Sequence, residues 1–504
     1  MSRDAADRSV CATKRYNSSQ MAKVVRRWWW ETLCVLVYVL IAGNQLFRVP
    51  ITGMGDNGDF PKVLGYWDAC DPDQYREYVV PVYKIKPECN WESHVTSSET
   101  ALAGIITQIA VSNERDSFSI QAAGKAHLSI LLAALGILLW AFNRSRPILR
   151  FGLPPLIVLI FSDVAYVAYL NSFYMDAAAM VFLLLTVSLA VAAVLRPQSW
   201  IAIAFGIAAV GFIASKSQHA VLGPLLAALA VWLAMRGARR NKRLWMASAA
   251  AATVSTVAMF ILTTDEYRTY PMYNLIFFRL TTHSPDPLQT LAELGLPASD
   301  SALVGTHSYS PNVPASDDKW ERQFLRQTSY LKLARYYLDN PRVPLTMLWT
   351  TLRDEARWIR TPDLGNYRKK DGFPPGTLAR RFDWWSNLRS RLVKAFPAHL
   401  AIFYVLVTGV SLACLFLPTL AARWPLYPVS LALAIAGAME FACAALLDCI
   451  ETARHLFLFH VITEILIVCA VAAVLSELAT DKHGSTPLVS GYFFKPSNKL
   501  NQMS

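Results

Sequence analysis

Two aspartates three residues apart, Asp56 and Asp59, lie in the run Gly55-Asp56-Asn57-Gly58-Asp59-Phe60. Gly55 and Gly58 permit a tight turn and close backbone approach, so both carboxylates can be aimed into one cavity. A carboxylate half shielded by lipid and protein can act as a general base toward an acceptor hydroxyl, or can hold a divalent cation such as Mg or Mn. Asn57, between the two acids, is a candidate substrate contact. A solvated turn after a helix would look the same in isolation. What sets this one apart is that other polar clusters fall at the same end of the chain's apolar segments.

In Asn171-Ser172-Phe173-Tyr174-Met175-Asp176, Tyr174 and Phe173 are candidates to line an acceptor pocket. Asp176 suits a helix N-terminus through the macrodipole, with Ser172 or Asn171 as cap, which is the structural alternative. In Ser215-Lys216-Ser217-Gln218-His219, Lys216 either binds a phosphate or snorkels, and Gln218 is a further substrate contact. Asp448, Glu451, Arg454, His455 and His460 surround the start of the last apolar run. Arg454 and His455 suit a lipid phosphate, because a guanidinium offers a planar donor fork and imidazole adds a donor or a proton. Glu451 either joins that site or pairs with Arg454 at i,i+3 merely to steady the helix start. Glu464 lies deeper in the same run and is expected to face the bundle interior.

The elements that must position these residues are membrane spans. The chain has 504 residues, is 54% hydrophobic and has a mean hydropathy of +0.31. Its apolar residues come in runs of roughly 16 to 22, the length needed to cross the hydrocarbon core as helices. Such runs begin near Thr32, Ala126, Phe151, Ala177, Ile201, His219, Leu244, His399, Leu426 and His455, which predicts an all-α polytopic membrane protein of about ten spans. Residues 100–111 are apolar but too short to cross, and read as a helix lying at the surface.

Lys and Arg in short loops resist translocation and so report the cytoplasmic side. Lys14, Arg15, Lys23, Arg26 and Arg27, then Arg144, Arg146 and Arg150, then Arg196, then Arg236, Arg239, Arg240, Lys242 and Arg243 all fall on one side if both termini are cytoplasmic. The polar clusters then share the external face. This organisation predicts a basic tail at 1–27, a membrane domain at 28–264 with a first external loop at 48–125, an external cap at 265–397, membrane helices at 398–478 and a tail at 479–504. The cap contains helical stretches, Lys319 to Leu338 and Val343 to Trp358, before the Gly/Pro-rich Asp371 to Gly376.

The net charge of +12 does not point to nucleic acid, because cytoplasmic anchoring and anionic lipid account for much of the excess. No cleavable signal sequence is expected, since the first apolar run starts late and lacks a small-residue cleavage site. Cys70 and Cys89 are the pair in the first external loop, where an oxidising exterior would allow a disulfide. Cys34, Cys414, Cys443 and Cys469 fall in spans and read as small apolar residues.

An external acidic motif after the first span, a bundle of about ten spans, an outer Tyr-x-Asp turn and a capping segment resemble the GT-C glycosyltransferases, integral membrane enzymes that use polyprenyl-phosphate-linked sugars. More narrowly, NGDF at 57–60, NSFYMD at 171–176, SKSQH at 215–219, SPDPLQTLAELGLP at 284–297, GNY at 365–367 and ETARHLFLFH at 451–460 are similar to bacterial membrane proteins identified as hexose transferases of surface-glycan biosynthesis. The resemblance implies transfer of a hexose, with inversion, from a polyprenyl phosphate to a glycan, lipid or protein acceptor outside the cytoplasmic membrane. It implies Asp56 or Asp59 as base, and Lys216, Arg454 and His455 at the phosphate. The chain departs from the pattern in that the family's acids are often adjacent, whereas two residues intervene here.

Besides a catalytically inert assembly factor, for which replacing Asp56 and Asp59 should leave the phenotype intact, two other classes stay open on the sequence. A lipid-linked sugar transporter or flippase would favour ionisable residues near the midplane and broken helices in related halves, yet these clusters sit at span ends. A glycan polymerase or ligase of another fold would also present a large external loop and arginines.

Overall fold

The computed structural model of the protein describes residues 28–73, 75–89, 95–236, 239–362, 364–447 and 449–480. The basic tail 1–27, Asp448 and the stretch beyond residue 480 lie outside the described residues.

The fold is an all-α polytopic membrane bundle. Among the described residues, eight helices are long and apolar enough to cross a membrane: Trp28–Phe47, Gln121–Phe142, Met175–Leu195, Ser217–Arg236, Asn241–Leu262, Ala398–Phe416, Tyr427–Leu446 and Thr452–Leu478. A ninth is a broken pair, Pro147–Phe161 and Val164–Leu170, bent by 66°. The tenth expected span, near Ile201, is the 15-residue helix Ser199–Ile213. At 1.5 Å per residue it reaches only about 22 Å, short of the roughly 30 Å hydrocarbon thickness.

Inside a membrane a broken helix needs partners for its freed backbone groups. Here Asp163 supplies them. One of its oxygens accepts the Ala165 N–H (2.9 Å), and the other accepts the N–H of Ser386 from the long segment (2.9 Å). Gln45 of the first span donates to the Ser162 carbonyl at 2.9 Å.

The surface helix expected at 100–111 runs from Ser98 to Ser112, capped by the Ser97 side chain. Its inner face buries Glu99, Ala103, Ile106 and Ala110, while Ile105 and Ile109 stand exposed. Before and after it, three short strands form one antiparallel sheet in the order β1 (Ala69–Cys70), β2 (Val82–Ile85), β3 (Ser117–Ser119). Tyr83 opposite Phe118 sets the β2–β3 register, and a Cys70–Cys89 disulfide closes the loop between β1 and the turn after β2.

The long segment divides into two packing units. Residues from Met272 to Met347 bury their own core, including Tyr273, Phe277, Leu291, Phe324 and Leu333. Ile359, Leu364 and Ala379 instead join the core of the bundle. The stretch expected to be helical from Lys319 to Leu338 is two helices, Asp318–Gln327 and Tyr330–Asp339. Ser329 separates them because its hydroxyl caps the second by accepting the Lys332 N–H; a serine competes for backbone in this way and favours a new helix start over continuation.

Candidate functional site

The acidic turn is built from below by backbone. Gly55 N–H donates to the Gly365 carbonyl (2.7 Å) and Gly53 N–H to the Asn366 carbonyl (3.3 Å), so the Gly365-Asn366-Tyr367 stretch lies alongside residues 53–55 like a strand partner. Asn366 also donates its side-chain amide to the Gly53 carbonyl at 2.8 Å. The approach requires glycine. A Cβ on Gly55 would stand 2.6 Å from the Glu77 carbonyl carbon, and one on Gly365 would collide with the Glu77 carbonyl oxygen.

The NSFYMD turn supports the same loop from the side. Asn171 accepts the Met54 N–H on its carbonyl (3.3 Å), and its amide donates to the carbonyls of Leu46 (3.0 Å) and Thr52 (2.8 Å). The buried Tyr174 hydroxyl donates to the Gly55 carbonyl (2.9 Å) and accepts the Asn57 N–H (3.0 Å). Tyr174, expected to line an acceptor pocket, is thus engaged in holding the loop. Its neighbour Phe173 is also fully buried, edge-on to Phe60 and Tyr83. Neither Asn171 nor Ser172 caps the helix Met175–Leu195, whose N-cap is Tyr174 without a side-chain bond.

The two aspartates then diverge. Asp56 Oδ1 accepts the N–H groups of Gly58 (2.7 Å) and Phe60 (3.2 Å), a local arrangement that closes the turn. Its other oxygen makes no hydrogen bond among the described residues. Burial pushes the Asp56 carboxyl up to about 6, against those amide bonds, with the nearby Asp59 charge adding to the rise. Asp59 is paired on both oxygens: Oδ1 lies 3.2 Å from Lys62 Nζ and Oδ2 lies 2.7 Å from Arg454 Nη1. Burial alone would raise Asp59, but the charges of Arg454, Lys62 and Lys216 outweigh it and hold the carboxyl well below the usual range.

Arg454 is the hinge of the cluster. Besides Asp59, its Nη2 meets Glu451 Oε2 at 2.8 Å, and its guanidinium lies over the Tyr174 ring at 5.1 Å. Its Nε is buried and has no partner among the described residues. Glu451 in turn receives the Asn57 side-chain amide on both oxygens, at 2.9 and 2.8 Å. Glu451 also sits in the left-handed region, φ 56°; a non-glycine residue there stores on the order of 1–2 kcal/mol and is held by its surroundings.

The SKSQH turn adds a second layer. Lys216 Nζ is 3.9 Å from Asp176 Oδ1 and 3.3 Å from His455 Nδ1, and is buried. His219 places Nε2 4.0 Å from the same Asp176 oxygen, while its Nδ1 lies 3.0 Å from Glu440 Oε1. Gln218 donates to the other Glu440 oxygen at 3.0 Å.

Asp56, Asn57, Asp59, Tyr174, Asp176, Lys216, Gln218, Glu451, Arg454 and His455 are therefore brought together at one end of the bundle. His460 is not. It is buried about one and a half turns further along the last span, beside Arg389 rather than beside the acidic turn. Glu464 is fully buried and accepts from Arg389 Nε (3.0 Å) and the Tyr166 hydroxyl (3.1 Å). Asp265 is exposed and faces Arg268 at 3.7 Å, and His283 is exposed, so neither lines the cluster.

Sequence reasoning passed over Glu440, Lys62, Tyr267 and Arg76. Glu440 had a signal, a lone acid in an apolar span. Lys62 had one too, three residues after Asp59. Tyr267 has Lys62 Nζ over its ring at 5.7 Å, and burial together with the Asp59 charge pushes its phenol well up. Arg76 donates to the Asn57 carbonyl at 2.7 Å, and nothing in its sequence context announces that.

A divalent cation does not fit between Asp56 and Asp59. Both Asp59 oxygens already face cationic side chains, one Asp56 oxygen is committed to amides, and no group of three or more His, Cys, Asp or Glu among the described residues is placed to hold a metal.

The family described as the YfdI N-terminal transmembrane domain matches residues 16–487 of the chain. No curated protein and no solved structure matches it.

Proposed function

The chain belongs to the YfdI N-terminal transmembrane domain family, membrane proteins associated with glycosyl transfer, and on that premise we propose that it transfers a hexose from a polyprenyl-phosphate carrier to a glycan, lipid or protein acceptor. The active face is the one carrying the acidic turn, outside the bacterial inner membrane, with both termini cytoplasmic. The observation that supports this reading most is the contrast between the two aspartates: one carboxyl is raised to about 6 with an oxygen uncommitted, and the other is clamped by Arg454 and Lys62.

In this reading Asp56 is the general base, since a base works best with a pKa near the working pH. It takes the proton of the acceptor hydroxyl while the acceptor oxygen bonds to the sugar C1. The C1–O bond to phosphate breaks in the same step, both electrons stay on the phosphate oxygen, and the anomeric centre inverts. The leaving phosphate gains one negative charge. Arg454, Lys216 and His455 are the residues that would meet it, with Arg454 Nε as the donor left over once Asp59 and Glu451 have oriented the guanidinium. Preorganised donors of this kind stabilise developing charge without reorganising.

The test is transfer by the purified protein in lipid from a panel of radiolabelled polyprenyl-phosphate hexoses to a cell-envelope glycan extract, with Asp56→Asn beside the wild type. Transfer by the wild type, abolished in an Asn variant that still binds donor, supports the reading. Failure to transfer from any donor, together with movement of a lipid-linked sugar across the bilayer, replaces it with transport.

A further inference from the structure

Helix Trp384–Ala395 is amphipathic in the reverse sense from a helix in water. It buries Ser386, Arg389 and Val393 against the protein, while Trp384, Leu388, Leu392 and Phe396 stand 41%, 42%, 48% and 55% exposed. Residues four apart share a helix face, so Trp384, Leu388 and Leu392 form one outward apolar stripe, and the exposed Phe396 follows it at the C-cap. Arg391 and Lys394 are exposed beside it.

The depth of this helix is set by an ion pair. Arg389, on its inward face, bonds Glu464 at 3.0 Å, and Glu464 lies ten residues beyond Arg454 along the last span, about 15 Å deeper into the bundle. The helix therefore packs below the acidic turn, at the level of the spans. Only Phe396 and Pro397 separate it from the span Ala398–Phe416, whose exposed Ile402, Val405 and Leu406 continue the apolar surface.

We infer that helix Trp384–Ala395 lies in the surface layer of the lipid leaflet, with Leu388, Leu392 and Phe396 among acyl chains and Arg391 and Lys394 among anionic head groups. A lipid surface is the partner that fits both the stripe and the flanking cations, because interfacial helices combine an apolar face with Lys and Arg at head-group level. Asp163 and Glu464 hold the helix to the bundle from behind, so its seat in the leaflet fixes the height of the Asp59–Arg454 cluster above the membrane. This inference does not depend on the transferase reading.

The test uses the full chain in nanodiscs of phosphatidylcholine and phosphatidylglycerol, carrying a photoreactive benzoylphenylalanine in place of Leu388 or Leu392, both exposed, with the same group at the exposed Lys319 as reference. Mass spectrometry should show phospholipid adducts at Leu388 and Leu392 at least tenfold above Lys319. Adducts to a second copy of the chain, or adducts no more frequent than at Lys319, would overturn the inference. In Arg391→Gln and Lys394→Gln backgrounds the ratio of phosphatidylglycerol to phosphatidylcholine adducts should fall about fivefold for each charge removed; an unchanged ratio removes the head-group contact from the proposal.

Discussion

Arg454 holds Asp59 at 2.7 Å with one terminal nitrogen and Glu451 at 2.8 Å with the other, so a single guanidinium ties the acidic turn after the first span to the start of the last one. A planar fork is the side chain that can do both at once, and an ammonium at the same place cannot reproduce the two directions. Arg454→Lys should therefore lower kcat by about 100-fold with a small change in donor affinity, as expected when an interaction acts mainly in the transition state. Steady-state kinetics with a lipid-phosphate hexose checks it, and a change in KM alone would speak against the role.

With Asp56 as the proposed base, the pH dependence of transfer should follow its carboxyl. With its carboxyl at about 6, activity should be flat above pH 7 and fall about tenfold per unit below 6, as the base becomes protonated. Asp56→Asn should remove transfer at every pH while leaving donor binding intact.

The Asp59 carboxyl is shifted in the opposite direction from that of Asp56, and its effect is on stability. Its carboxyl is held well below its unfolded value by Arg454 and Lys62, so the stabilisation it provides is present above the unfolded pKa and is lost as pH falls through the folded one. Because the pair is partly open to solvent, Asp59→Asn should cost on the order of 1–2 kcal/mol at neutral pH. Thermal unfolding of both proteins in detergent should show the gap narrowing as pH is lowered below about 4.

Gly55→Ala tests the backbone pairing under the turn. A Cβ there would stand 2.6 Å from the Glu77 carbonyl carbon, and overpacking of this kind costs about 1–3 kcal/mol. Transfer should drop at least tenfold, because the displaced strand carries Asp56 with it. Gly43→Ala, in the first span, where the nearest heavy atom is 3.9 Å away, should leave transfer unchanged.

Glu440→Ala tests the layer behind the site. Glu440 is the acceptor for His219 and Gln218 together, and removing it leaves the buried His219 ring nitrogen without that partner, about 1–3 kcal/mol, and frees the half-buried Gln218 amide. The turn carrying Lys216 should loosen, so KM for the donor should rise several-fold. Glu440→Gln keeps an acceptor oxygen and should restore part of that loss.

The spans were legible because an apolar run of membrane length has few other uses, and the acidic turn was legible because two carboxylates flanked by glycine stand out after such a run. Asp59 and Arg454 were each noted for their chemistry, but that they meet is a tertiary fact. The Gly365-Asn366-Tyr367 stretch resembled a family motif without revealing that it pairs with residues 53–55, since backbone hydrogen bonds leave no mark on side-chain patterns. Tyr174 reads as a pocket residue in the sequence because a tyrosine hydroxyl can face either substrate or backbone, and only packing decides between them. Glu440 carried the same signal as Glu464, one acid in an apolar helix, and its partners His219 and Gln218 could be identified only from the fold.

The long segment packs in three buried clusters, one of its own between Met272 and Met347 and two that its later part shares with the spans. Its first part meets the bundle at the end of one span, where the Tyr337 hydroxyl donates to the Leu446 carbonyl, so changes at its exposed surface should leave Asp56, Asp59 and Arg454 in place, whereas drift at 356–395 is felt by the turn and the spans. Variation among related chains should gather on the exposed surface of the first part, leaving the second as the less variable frame behind the acidic turn.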